Sequence, residues 1–202
     1  MPCRQRRGIR FFRAVLADGG RDTMTDILLC GAAADTAFAD ALVPALKHSG
    51  NLCRAGRDEA EDCAGPADYF LYECGAVPKI GMGKGILLFK DRLGETVPNP
   101  VPPGFVCVIG SQNARAAELL RGSSAAVVTC GTGPKDTLSL AGLDAAAASV
   151  SLQRNLLTPG GNLLEPHDFS VGLTRRRTPE QILAVSAVLL LAGVDSEQGY
   201  LI

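Results

Sequence analysis

Tryptophan is absent from this chain, and aromatic residues make up 5% of its 202 positions. Proteins that hold single-stranded nucleic acid stack bases on aromatic side chains in a basic groove, and this sequence lacks the platforms. A surplus of positive charge is missing too. Lys and Arg total 20 against 21 Asp and Glu, a formal net charge of −1. No global field exists to hold a polyanion, so no nucleic-acid partner is expected. Histidine is scarce, with His48 and His167 far apart, and none of the seven cysteines forms a C-x-x-C pair. Structural zinc sites want such ligands in close pairs, so neither a metal nor a cofactor is expected. An odd number of scattered cysteines, with Cys30, Cys107 and Cys130 inside apolar runs, reads as reduced, mostly buried thiols in a reducing compartment. No apolar run reaches the roughly 18 residues of a membrane span. The longest, over 182–194, is interrupted by Ser186 and Gly193. A cytoplasmic protein with no membrane partner is expected.

What is present is enough apolar material for one core. Hydrophobic residues reach 47% and charged residues 20%, a balance typical of a folded domain. The Arg-rich residues 1–23 lack the apolar core of a signal peptide, and Met24 opens the first buried run, MTDILLCGA. Residues 1–23 are therefore expected to be an extension outside the fold, disordered or from a misassigned start, with a basic arm as the alternative. The domain is expected over 24–202.

Within it, apolar runs bounded by glycine predict buried strands at 26–30, 67–74, 85–89, 105–109 and 125–130. Helical spacing of Phe38, Leu42, Ala45 and Leu46 predicts a helix over 33–49, kinked or starting late because of Pro44. A second helix is predicted over 112–120. The stretch 52–65 reads as irregular with one short strand. Further on, 137–143, 147–152 and 162–171 predict short strands joined by turns, with Pro159-Gly160-Gly161 as the clearest turn. Thr178 and Pro179 mark a helix start, and the helix over 179–192 is apolar on most faces and should be buried. The fold class expected is α/β: a mostly parallel open sheet with helices on both faces, a small antiparallel strand section and a buried C-terminal helix.

In open parallel sheets, ligands bind beyond the carboxyl ends of the strands. The tips GAAADT (31–36), ECGA (73–76), GSQN (110–113) and CGTGPKD (130–136) would share that edge. Glu73 could bind magnesium or be a solvated turn residue. Gly131 and Gly133 could form an anion-binding nest with Thr132, and Lys135 could add charge. Together with Asn113 these make up the candidate ligand site: Glu73, Asn113, Gly131, Thr132, Gly133 and Lys135. No catalytic residue is assigned, because neither histidine is an obvious partner for Cys74 or Cys130. GMGKG (81–85) is a short, weak signal of the same kind. Glu165, His167 and Asp168 read as a turn, with metal ligation as the alternative, and Arg175 to Arg177 as a solvated loop, with anion contact as the alternative.

The order of pieces resembles the central, ATP-binding domain of the Mur ligases. ILLCGAAADTAFADALVPALKHSG lies where that family has strand, P-loop and first helix. YFLYECGA resembles its strand ending in a magnesium-binding Glu, which falls on Glu73. FVCVIGSQNARAAELLRGSSAAVVTCG resembles its later segment with an Asn-containing strand tip. The resemblance implies a nucleotide-binding fold, but Asp35 stands where the family has its phosphate-binding Lys, and a carboxylate there repels a triphosphate. The Asn-His stretch before the last helix is absent, as are the family's substrate and C-terminal domains. The resemblance therefore implies a degenerate, non-catalytic relative that binds a partner protein or a small ligand at the strand edge; by its place at the helix start, Asp35 itself reads as an N-terminal capping or first-turn residue. The alternatives are a nucleotide- or anion-binding enzyme using the 131–136 loop with Glu73, and a subunit that pairs with a separate ligase chain. The sequence fixes no oligomeric state.

Overall fold

The computed structural model describes residues 24–56, 66–79, 83–94 and 99–202. The expectations for 1–23, for 57–65 and for the start of the 81–85 glycine run lie outside them.

The chain runs β1 (Thr25–Cys30), α1 (Ala37–Ser49), β2 (Leu52–Ala55), β3 (Tyr69–Cys74), β4 (Gly85–Phe89), β5 (Phe105–Gly110), α2 (Ala114–Leu120) and β6 (Ala126–Gly131). It continues through β7 (Leu138–Leu143), β8 (Ala147–Leu152), β9 (Leu156–Leu157), β10 (Leu163–Leu164), β11 (His167–Gly172), α3 (Pro179–Leu191) and β12 (Tyr200–Leu201). One ten-stranded sheet has the order β12-β11-β8-β7-β6-β5-β4-β1-β3-β2, and β9 and β10 form a separate two-stranded antiparallel sheet. From β2 to β7 every pairing is parallel. The pairings β7–β8 and β8–β11 are antiparallel, and β11–β12 is parallel again. The late strands thus extend the main sheet.

Strand alternation divides the core into two layers. Ile27, Leu29, Leu71, Ile86, Leu88, Val106 and Val108 face α1 and α3. Leu28, Cys30, Phe70, Leu87, Phe89 and Cys107 face Ala116 and Leu120 of α2. Both faces of the central strands are covered, which is why these strands are apolar at every position. Residues Ile182 to Leu191 of α3 are all buried, so the helix that is apolar on most faces lies inside the domain. Its start carries a full capping box: the Gln181 amide donates to Thr178 Oγ1, and the Thr178 amide donates to Gln181 Oε1. Among the described residues no helix is long and apolar enough to cross a membrane. Cys30, Cys74, Cys107 and Cys130 are reduced. Cys53 is disulfide-bonded, which departs from the expectation of reduced thiols throughout.

Candidate functional site

Parallel pairing brings the carboxyl ends of β1, β3, β4, β5 and β6 to one edge. The ladder continues one residue past the strands: the Gly31 amide donates to Cys74 O at 2.9 Å, Lys90 N to Cys30 O at 2.8 Å and Ser111 N to Cys130 O at 2.8 Å. The tips are therefore held side by side.

Lys90 is the first residue after β4, the strand next to β1 in the middle of the sheet. Its side chain is 1% exposed. Its ammonium donates to Asp35 O at 2.7 Å, to Ala32 O at 3.4 Å and to Glu73 Oε2 at 3.3 Å. Glu73 also pairs with Arg54 of β2. A buried ammonium needs this many acceptors, since burial without them costs several kcal/mol. The loop after β1 is thus folded around an internal cation. Three of its amides are committed as well: Gly31 N donates to Cys74 O, Ala32 N to Arg92 O at 2.7 Å and Asp35 N to Ala32 O at 3.0 Å. A phosphate-binding loop presents such amides to the ligand; in this chain they are spent on protein carbonyls. The same contacts explain why α1 starts at Ala37, later than helical spacing predicted. Thr36 is the N-cap without a side-chain cap bond, and Asp35 Oδ1 accepts from Ala37 N at 3.4 Å.

A matching arrangement closes the 131–136 loop. The buried Asp136 accepts the Gly133 amide at 2.9 Å. A Cβ on Gly131 would collide with Asp136 and with Ser111 Oγ, so only glycine lets the carboxylate lie this close. Asn113 caps α2, accepting from Ala116 N at 3.0 Å, and donates through Nδ2 to Lys90 O at 3.0 Å. The thiols differ in character. Burial pushes Cys107 up to about 12 and Cys130 well above the ordinary range, with the Asp136 charge adding to it. Cys30, directly opposite Cys74 in the β1–β3 register, is held below the usual thiol range by a hydrogen bond with Cys74 and by the charge of Lys90.

Beside the filled edge lies an open cleft of about 560 Å³, lined by Asp35, Asp40, Asp91, Arg92, Arg175, Arg176, Arg177 and Gln181 among others. Pro44 builds part of it. Proline has no N–H, so the carbonyl four residues earlier, that of Asp40, loses its helical donor. Arg175 donates to Asp40 O at 2.6 Å and Arg177 at 2.9 Å. Gln181 Nε2 adds a bond to Ala37 O at 2.8 Å. Arg177 is buried, and its Nε has no acceptor. Burial and the like charge of Arg175 lower its pKa. Across the cleft, partial desolvation and the charges of Asp35 and Glu180 raise that of Asp91.

The structure therefore brings Glu73 and Asn113 together around Lys90, and Gly131 and Gly133 around Asp136, while Thr132 and Lys135 are exposed. Lys90 is what the sequence reading missed, and at Arg175 to Arg177 it preferred a solvated loop to anion contact. A lysine directly after an all-apolar central strand was the available signal for Lys90. No group of His, Cys, Asp and Glu suited to a metal ion occurs among the described residues.

No protein-family model matches the sequence, and no curated protein matches it. Among solved structures, the fold is similar to UDP-N-acetylmuramate:L-alanyl-γ-D-glutamyl-meso-diaminopimelate ligase from Neisseria meningitides, with a TM-score of 0.56 at 14% identity over 91% of this chain. It is also similar to UDP-N-acetylmuramoyl-L-alanyl-D-glutamate–2,6-diaminopimelate ligase, with a TM-score of 0.50 at 12% identity over 96% of this chain. The chain spans 66% of the first protein and 49% of the second. It has a Mur ligase-like fold.

Proposed function

We propose that this chain is a non-catalytic Mur ligase-like domain that binds a small anionic ligand at the carboxyl edge of its sheet. The observation that carries the reading is the use of Lys90 as an internal cation. It occupies the loop where a nucleotide's phosphates would seat, and the loop amides at Gly31, Ala32 and Asp35 donate to protein carbonyls. What stays open to solvent beside it is the arginine-lined cleft. Guanidinium groups fork onto carboxylates and phosphates, which supports the cleft as the anion's site.

Titration calorimetry with Mg-ATP and, separately, inorganic phosphate tests this. Mg-ATP should show no magnesium-dependent binding at micromolar concentrations. Phosphate should bind weakly, and more weakly to Arg176→Gln. Tight, magnesium-dependent ATP binding overturns the reading.

A second reading makes the chain an anion- or nucleotide-binding enzyme or ligase subunit working through the 131–136 loop. It is favoured by one observation: the Gly133 amide already holds a carboxylate, with Thr132 and Lys135 exposed beside it.

A further inference from the structure

We infer that Cys30 and Cys74 form a redox-active dithiol that exchanges with low-molecular-weight disulfides and closes a reversible bond between the ends of β1 and β3. The two residues are register partners on neighbouring parallel strands. Such strands lie about 4.7–4.9 Å apart, and a disulfide joins Cα atoms about 4.4–6.8 Å apart. Both side chains lie on the sheet face that α2 covers, so the sulfurs leave the backbone on the same side, and they hydrogen-bond to each other. The other free thiols among the described residues have no such neighbour. Cys107 stands opposite Leu87 and Val127, and Cys130 opposite Gly110 and Leu138.

The two sulfurs divide the work by exposure. Cys74 is partly buried, whereas Cys30 is 2% exposed, so a small disulfide enters at Cys74. Exchange proceeds by attack of a thiolate on a disulfide sulfur. The Cys74 sulfur bonds to one sulfur of the reagent, the reagent's S–S bond breaks, and one small thiol leaves. Cys30 then attacks the Cys74 sulfur, the bond between the strands forms, and the second small thiol leaves. The cysteine pair gives up two electrons and the reagent takes them; both cysteine protons end on the departing thiols. Cys30 suits the second step. In the resting pair its hydrogen bond with Cys74 and the charge of Lys90 hold it below the usual thiol range, and the thiolate is the nucleophile. Lys90, which follows the strand paired with Cys30, stays in place after Cys74 has reacted. Burial pushes Cys107 and Cys130 the opposite way. Neither Cys30 nor Cys74 lines the arginine cleft, so the inference and the proposed function stand or fall separately.

The test treats the full chain, as isolated, with hydroxyethyl disulfide at neutral pH. It reads the intact mass and the masses of fragments cut between Cys63 and Cys74. The unaltered protein should give fragments joined through Cys30 and Cys74, with a net loss of two hydrogen atoms, and dithiothreitol should restore the starting mass. Cys30→Ala should stop at the first step, leaving a lasting hydroxyethylthio adduct on Cys74. Cys30→Ser gives the same reading if the alanine variant does not fold by circular dichroism. Cys74→Ala should leave Cys30 unmodified. The inference is overturned if neither cysteine reacts, if the adduct on Cys74 of the unaltered protein persists, if the new bond joins other cysteines, or if Cys30 and Cys74 join only in urea.

Discussion

The ammonium of Lys90 meets Oε2 of Glu73 at 3.3 Å, joining the ends of β4 and β3 across the intervening β1. Removing one partner of a buried pair leaves the other uncompensated and costs about 3–5 kcal/mol. Because Glu73 keeps Arg54, Lys90→Met should fall near the lower end, about 3 kcal/mol, in urea denaturation. Glu73→Gln should also destabilise, and the double variant should be clearly more stable than the sum of the two. Strict additivity would show that the two side chains do not interact.

Gly131 is the position where the second loop admits the Asp136 carboxylate. Gly131→Ala forces Asp136 or Ser111 aside, and overpacking of this kind costs about 1–3 kcal/mol. The same substitution at Gly122, where a Cβ meets nothing within 4 Å, is the comparison. It carries its own backbone cost there, since φ is +80°, but should leave the Gly133 amide resonance in place. A shifted Gly133 resonance in Gly131→Ala alone identifies loss of the carboxylate.

Asp91 carries a raised pKa in the fold. Above the ordinary value of 3.8, the native state holds this proton more tightly than the unfolded chain. The favourable contribution is present at lower pH and is lost as pH rises through the raised value. Asp91→Asn should therefore gain stability over the unaltered protein as pH moves from 4 toward 7, read from melts at each pH. A difference that does not change with pH would sink the assignment.

Pro44 in an exposed helix interior costs about 3 kcal/mol relative to Ala. Pro44→Ala should recover less than that, because the Asp40 carbonyl already has two arginine donors and the new amide competes with them. The melt should rise modestly, and the side-chain N–H protons of Arg177 should exchange faster with water. Unchanged Arg177 exchange would mean that the guanidinium is held by something else.

Lys135 tests the second functional reading. It is exposed, so Lys135→Ala should change stability by no more than about 0.5 kcal/mol. Under the arginine-cleft reading, phosphate affinity is unchanged. A loss of affinity moves the site to the 131–136 loop.

The strands were legible because a central parallel strand is apolar on both faces: ILLC, GILLF and FVCVIG announce themselves without reference to anything distant. The helix after Thr178 was legible for the opposite reason, since its cap and Pro179 act within one turn. The sheet edge was also foreseen, as a consequence of parallel strands ending in polar tips. Lys90 was not. Its meaning depends on Glu73, 17 residues away on a strand that is not its neighbour in the sheet, and the order β4-β1-β3 is not written in the sequence order. Arg175 to Arg177 read as a solvated loop because their acceptor, the Asp40 carbonyl, lies 135 residues from Arg175. The two-residue β12 carries too little periodicity to be seen at all.

The arginine anchor is a main-chain oxygen, and that shapes how the chain can drift. Any amino acid at position 40 supplies the same carbonyl, so random replacement of Asp40 should leave the guanidinium platform standing. Position 44 behaves in the opposite way, because every residue other than proline brings an N–H that competes for that oxygen. Inheritance of the platform therefore hangs on Pro44, an exposed residue of α1 that does not itself line the cleft, and a screen of cleft-lining positions alone would pass it over.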